Sequence, residues 1–120
     1  MKTAEDQIAE LENDLSIISK LMKNFEIDES EYAERYDAWL NSTRDGVMFF
    51  GKWIPASTAI KIAMPDEYAA DLKQYAYDIF QKDKLTSSGY AMLVDDWIEL
   101  FDELKVLKTQ LEQSNESING

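Results

Sequence analysis

Two pairs of acidic residues stand one helical turn apart, Glu31 with Glu34 and Glu99 with Asp102. Side chains at this spacing lie on the same face of a helix. Four carboxylates facing one another would supply the oxygen ligands that Mg²⁺ takes beside substrate phosphates. A site for Mg²⁺ is therefore one feature that these residue types allow.

These pairs resemble the ExxE…ExxD signature of the all-α nucleoside triphosphate pyrophosphatases of the MazG type. The resemblance covers these four positions only, and the 64 residues between the pairs exceed the separation usual in that family. It implies an all-α, Mg²⁺-dependent pyrophosphatase as one hypothesis for function. We assign the chain to no family on this resemblance.

The residues that several other catalytic chemistries require are absent from the sequence. The chain has no histidine and no cysteine, which excludes histidine-based triads, helical di-iron sites and thiol catalysis. Its four glycines are scattered and form no phosphate-binding loop. We therefore expect a protein that is not an enzyme and that holds no cofactor and no metal.

The charge of the chain is strongly negative and unevenly distributed. The net charge is −12, and residues 1–45 and 66–120 each carry 12 acidic and 5 basic residues. Such a chain repels nucleic acid and anionic membranes, so its expected partner is a basic protein, such as a nucleic-acid-binding enzyme. No secretory signal and no long apolar run are seen, which predicts a cytoplasmic protein without membrane contact.

The spacing of apolar residues predicts a mainly α fold of about four helices in a single domain, residues 1–120. Helices are expected at 3–26, 29–41, 65–82 and 88–113, with an apolar connector at 46–64 that includes a short β-hairpin near 47–54, and a frayed tail at 114–120.

The first and last helices carry apolar residues at alternating spacings of three and four, which is the heptad pattern of coiled coils. The two seams are Ile8, Leu11, Leu15, Ile18, Met22 and Phe25, and Tyr90, Leu93, Trp97, Leu100, Leu104, Leu107 and Leu111. The simplest packing sets these long helices side by side as a coiled-coil-like pair. Pairing of the same seams between two chains, in a homodimer, is the alternative.

The stretch GVMFFGKWIPASTAIKIAMP, residues 46–65, contains no acidic residue. Its lysines, prolines and internal glycine exclude a membrane span. Two interpretations stay open: the stretch covers the core, which we favour, or its part around Phe49–Trp53 is exposed as an apolar contact.

Two sets of residues are candidates for binding a partner. The acidic set comprises a stripe on the last helix and a patch on the second: Asp95, Asp96, Glu99, Asp102 and Glu103, with Glu29, Glu34 and Asp37. Within the stripe, Asp95, Glu99 and Asp102 are expected on one face, because they follow at intervals of four and three residues. The aromatic set, expected to anchor an interface, comprises Trp39, Phe49, Phe50 and Trp53.

These features predict a non-enzymatic, acidic protein-binding module that inhibits or sequesters a basic partner by mimicking phosphates. Phage anti-restriction and anti-CRISPR proteins, nuclease immunity proteins and antitoxins act in this way, and the analogy rests on size and charge. A helical homodimer with a structural or assembly role is the alternative, and the Mg²⁺-dependent pyrophosphatase is the third hypothesis.

Overall fold

The computed structural model describes the backbone of residues 2–119 and the side chains of residues 2–114. The described chain is mainly α, as predicted, with five α-helices instead of four and a two-stranded hairpin. The elements are α1 (Ala4–Lys23), α2 (Ala33–Thr43), β1 (Val47–Phe49), β2 (Lys52–Ile54), α3 (Ala56–Ala63), α4 (Pro65–Lys82) and α5 (Ser88–Asn119), with 3-10 turns at Glu29–Tyr32 and Lys84–Thr86. The last helix was predicted to end at residue 113, but α5 continues through Asn119, so the backbone of the tail predicted to fray at 114–120 is helical as far as it is described.

Local sequence signals place the helix starts. Thr3 and Asp6 form a reciprocal capping box: the Asp6 N–H donates to Thr3 Oγ1 at 3.1 Å, and the Thr3 N–H donates to Asp6 Oδ2 at 3.3 Å. Pro65 occupies the first position of α4, where its missing N–H costs no hydrogen bond. The helix beyond the four predicted ones is α3. It forms within the predicted connector and ends immediately before Met64 and Pro65.

The chain, predicted to be a single domain, divides into two compact units. The helix-pair unit comprises Met1–Phe25 and Ser88–Gly120, and the central unit comprises Glu26–Ser87. The helix-pair unit holds α1 and α5, and the central unit holds the other helices and the hairpin.

In the helix-pair unit, α1 and α5 pack antiparallel along the two heptad seams. Lys108 Nζ lies 3.4 Å from Glu12 Oε1 toward one end, and the rings of Phe25 and Tyr90 meet edge to face at 5.5 Å toward the other. Leu11 and Leu104 are buried. The predicted coiled-coil-like pair therefore forms within one chain.

The core of the central unit lies between α2 and α4. Tyr36 and Leu40 of α2 are buried with Leu72 and Ala76 of α4 and with Tyr32 of the preceding 3-10 turn. Aromatic rings extend this core: the Tyr36 ring lies 5.1 Å from that of Tyr75 and 5.5 Å from that of Tyr68. Tyrosines therefore share this core with aliphatic side chains.

The hairpin forms where it was predicted. Met48 pairs with Trp53 and Phe49 pairs with Lys52, so the two-residue turn is Phe50–Gly51. Phe50 has φ 50° and Gly51 has φ 74°. Positive φ at both central residues matches a type I′ turn, whose twist suits the twist of the paired strands.

Gly46 is required by a close approach of the backbone and not by a positive φ. A Cβ atom at this position would lie 2.3 Å from the Ile54 carbonyl oxygen and 2.7 Å from Cζ2 of Trp53. Glycine therefore lets the backbone before β1 approach β2 and the Trp53 ring closely.

In the part of the chain that the structure describes, no helix is both long enough and apolar enough to cross a membrane.

Candidate functional site

An open groove with a volume of about 450 Å³ runs between α1 and α5 in the helix-pair unit. Its apolar lining consists of Ile17, Ile18 and Leu100, which we call the floor. Its acidic lining consists of Asp14, Asp96, Glu99 and Glu103, which we call the edges. Among the described side chains, no basic residue lines the groove. The groove therefore combines four carboxylates with an apolar floor. We call this feature the acidic groove.

The heptad seams explain why these acids meet. Asp14, Asp96 and Glu103 each stand immediately before a seam residue, namely Leu15, Trp97 and Leu104. Residues at this heptad position flank the buried seam. In the antiparallel pair, the flank of α1 and the flank of α5 border the same groove.

The structure thus divides the predicted acidic stripe into two groups. Asp96, Glu99 and Glu103 line the acidic groove together with Asp14, whereas Asp95 and Asp102 are exposed on α5 outside its lining. Asp14 was missing from the predicted site. A comparison of the flanks of both seams would have found it, because Asp14 occupies the same heptad position as Asp96 and Glu103.

The carboxylates of the stripe have no partner among the described residues. The three ion pairs described join Lys2 to Glu10, Lys61 to Asp37 and Lys108 to Glu12. None of these ion pairs involves an acid of the stripe. Within residues 2–114, whose side chains the structure describes, no side-chain hydrogen bond to a carboxylate of the stripe is seen either. Like charges on neighbouring helical turns repel one another by a few tenths of a kcal/mol per pair. A basic ligand would relieve this repulsion.

The second predicted acidic patch is arranged differently. Glu34 is exposed on α2 and Glu29 is half-buried in the 3-10 turn before it. Asp37 accepts hydrogen bonds from Lys61 Nζ and from the Tyr68 hydroxyl, both at 2.6 Å. Both oxygens of Asp37 are thus engaged within the central unit, where they join α2 to α3 and α4. Asp37 therefore has a structural role, which leaves Glu34 as the exposed acid of this patch.

The Asp37 cluster predicts how stability responds to alkaline pH. The hydrogen bond to Asp37 raises the pKa of Lys61 above its ordinary 10.5. Burial, followed by the hydrogen bond to Asp37, raises the pKa of Tyr68 above its ordinary 10.0. Because both folded-state values lie above the unfolded ones, the stabilisation is complete below about pH 10 and is lost as the pH rises through the folded values.

We expect Asp37→Asn to lower the melting temperature at neutral pH and to flatten the further fall of that temperature above about pH 10. Melting followed by circular dichroism from about pH 7 to about pH 11 measures both effects. Glu34→Gln, on the same helix and without a described partner, is the control. If both variants follow the wild-type alkaline profile, the Asp37 cluster does not contribute to stability.

The exposure of the hairpin side chains decides between the two interpretations of residues 46–65, the stretch without acidic residues. Trp53 is 60% exposed and Phe49 is 60% exposed, and Met48 and Val47 are exposed as well. The interpretation that this part covers the core, which the sequence favoured, is therefore wrong for the hairpin. Large apolar side chains that cluster at a surface mark sites of interaction with other molecules.

Phe50 is the most unusual residue of this cluster. It is 91% exposed and has φ 50°, in the left-handed region. A bulky residue there is strained by about 1–3 kcal/mol, and the turn type favours asparagine, aspartate or glycine at this position. Its ring lies 4.5 Å from that of Phe49 and is otherwise in solvent. The fold therefore gives no reason for an aromatic side chain at residue 50.

Trp39, the remaining aromatic candidate, is shared between core and surface. Its ring stacks on Tyr36 at 5.9 Å and lies 6.1 Å from Tyr75, while 45% of the residue is exposed. We therefore separate it from the aromatic cluster at residues 47–53, which we call the aromatic hairpin.

Among the described residues, no group of three or more acidic side chains is placed so that it could hold a metal ion. The described residues therefore provide no metal-binding arrangement that would support the pyrophosphatase hypothesis.

Comparisons of the chain with protein-family models, with curated proteins and with solved structures find no match. The acidic groove and the aromatic hairpin must therefore be interpreted from their own geometry.

Proposed function

We propose that this protein is a small, mainly α, non-enzymatic binding module that docks on a basic surface of a protein partner. The observation that carries the proposal is the acidic groove, in which Asp14, Asp96, Glu99 and Glu103 surround an apolar floor. Unpaired carboxylates steer a basic partner toward the protein and favour it over acidic ones. The apolar floor supplies the desolvated contact that charge alone lacks.

The proposed role of the module is to inhibit or sequester an enzyme that handles nucleic acid. The acids of α5 that line the groove, Asp96, Glu99 and Glu103, stand three and four residues apart, which corresponds to about 4.5–6 Å of helix. That interval is comparable with the spacing of phosphates along one nucleic-acid strand. The module would occupy the basic channel of such an enzyme in place of the phosphate backbone.

The aromatic hairpin is the second proposed contact. Protein interfaces are anchored by a few aromatic side chains that enter pockets of the partner. Phe49, Phe50 and Trp53 offer such side chains on a hairpin that leaves them exposed. The acidic groove sets the rate and specificity of docking, and the hairpin slows dissociation.

This proposal predicts a steep dependence of binding on salt. The protein, immobilised and exposed to a lysate of its native host, should retain its partner at about 50 mM salt and lose most of it at about 500 mM, because charged surfaces are screened beyond a few ångströms there. Quantitative mass spectrometry of the eluted proteins measures the loss. Retention that does not change over this range would contradict docking by charge.

Phosphate mimicry is tested in the same format. A short DNA duplex added at low salt should displace the retained partner, because both would occupy the same basic surface. A partner that remains bound in excess duplex would contradict mimicry while leaving docking by charge intact.

One observation favours assembly of a homodimer as a second candidate. Several large apolar side chains of α5 remain exposed on the helix pair, among them Met92, Ile98, Phe101 and Val106. A second copy could cover them in a four-helix arrangement. Light scattering at micromolar concentration decides this, since a monomeric mass would contradict the assembly role.

A further inference from the structure

We infer that the acidic groove binds an amphipathic helix of the partner, with an apolar stripe that enters the groove and with lysine or arginine along the edges of that stripe. This inference rests on the proposed function and names the kind of segment that the groove takes. It is argued from the shape of the groove, the spacing of its acids and its charge.

The shape of the groove favours side chains presented by a helix. Its volume of about 450 Å³ falls within the range of small-molecule pockets, but α1 and α5 enclose it on two sides only. Ile17 on its floor is 49% exposed, so an occupant must cover the groove from above. An amphipathic helix does this when its apolar face lies along a hydrophobic groove.

The spacing of the acids matches the spacing of residues on a helix. Asp96, Glu99 and Glu103 follow one another at intervals of three and four residues, and they span about 10 Å along α5. A helix lying alongside α5 advances at the same rate, so basic residues at intervals of three and four meet all three acids. An extended segment would cover this length with about three residues, of which only alternate side chains face the groove.

The acids are distributed unequally between the two edges. Three of them belong to α5 and one, Asp14, belongs to α1. The bound helix should therefore carry more of its basic residues on the edge that faces α5. This asymmetry fixes the rotation of the helix about its axis when its apolar stripe lies on the floor.

Charge excludes a second copy of this chain as the favoured occupant. Each copy carries a net charge of −12 and brings its own four carboxylates to a contact between two grooves. The groove is complementary to a basic helix and repels another acidic one.

The test uses two synthetic peptides of leucine and lysine with the same composition. One places its leucines at i, i+3, i+4 and i+7 of a helix, and the other has a scrambled order without an apolar stripe. Binding of each labelled peptide to the full chain is measured by fluorescence anisotropy. We expect the amphipathic peptide to bind about tenfold more tightly, because only its leucines reach the floor together with its charges.

Two pairs of matched variants locate the binding. Glu99→Gln with Glu103→Gln should weaken binding of the amphipathic peptide about tenfold, whereas Asp95→Asn with Asp102→Asn, the same change of charge on exposed positions of the same helix, should weaken it about threefold or less. Ile17→Ser should weaken it more than Ile98→Ser does. Both isoleucines are about half exposed, but Ile98 does not line the groove.

The outcomes separate this inference from the proposed function. Equal effects within each pair of variants, or equal binding of the two peptides, would overturn the helix-binding inference and leave docking by charge intact. Salt-independent retention of the native partner would remove the proposed function itself. A dimeric mass that Ile17→Ser converts to a monomeric one would assign the groove to a second copy and overturn the inference. Circular dichroism of every variant confirms that the helices are retained.

Discussion

Replacing Leu40 by alanine should lower the free energy of unfolding of the central unit by about 3 kcal/mol. Leu40 is 1% exposed and lies in the core with Tyr36, Leu72 and Ala76. Truncation to alanine removes buried apolar surface and leaves a cavity among large rings that cannot collapse into it. Small domains have a stability of about 5–15 kcal/mol, so this loss is a large fraction of the whole.

Urea denaturation followed by tryptophan fluorescence and by circular dichroism measures the change. Leu85→Ala is the matched control, because it makes the same substitution at a residue that is 58% exposed. We expect the control to change the unfolding free energy by less than about 1 kcal/mol. If the two variants lose similar amounts, the core is not centred on Leu40.

Replacing Phe50 by asparagine should separate stability from binding, with opposite effects on the two. Asparagine adopts the left-handed conformation readily and forms with Gly51 the Asn-Gly pair that type I′ turns prefer. The hairpin should therefore be stabilised by about 1 kcal/mol. The same change removes the most exposed aromatic ring of the aromatic hairpin, so retention of the native partner should fall about tenfold or more.

Cross-strand proton contacts between Met48 and Trp53 in nuclear magnetic resonance spectra measure how fully the hairpin is formed, and the lysate experiment measures retention. Tyr77→Asn is the control for the loss of an exposed aromatic ring elsewhere, because Tyr77 is 52% exposed on α4. A Phe50→Asn protein that forms its hairpin and retains the partner as the wild type does would exclude the hairpin from the interface.

Opposite effects at Phe50 would have a direct physical meaning. Residues held in strained conformations persist where the surrounding structure or a function requires them. Here the ring is in solvent and the surrounding structure gains nothing from it except the contact with Phe49. A requirement at the interface is the explanation that we propose, since strain without local compensation is found chiefly at functional positions.

The amino-acid sequence predicted the helices because their signals are local or periodic. The capping box at Thr3 and Asp6, Pro65 at the start of α4 and the two heptad seams each follow from the order of residues within one element. The seams also predicted that α1 and α5 each need an apolar partner, but the sequence left pairing within one chain and pairing between two chains open. The structure pairs α1 with α5 within one chain.

The sequence could not decide which surfaces are exposed. The composition of residues 46–65 is that of a core segment, but it is compatible both with covering the core and with an exposed apolar contact. Only the tertiary structure shows that side chains of α2, of α4 and of the preceding 3-10 turn fill this core and that the aromatic hairpin is left exposed.

The same distinction applies to the candidate site. Sequence spacing grouped Asp95 with Glu99 and Asp102, because it considered α5 alone. The tertiary structure grouped Glu99 with Asp96, Glu103 and Asp14, because a groove has two walls and α1 supplies the second. Periodicity thus determines the face of one helix on which a residue lies, and packing between distant parts of the chain determines which faces form one surface.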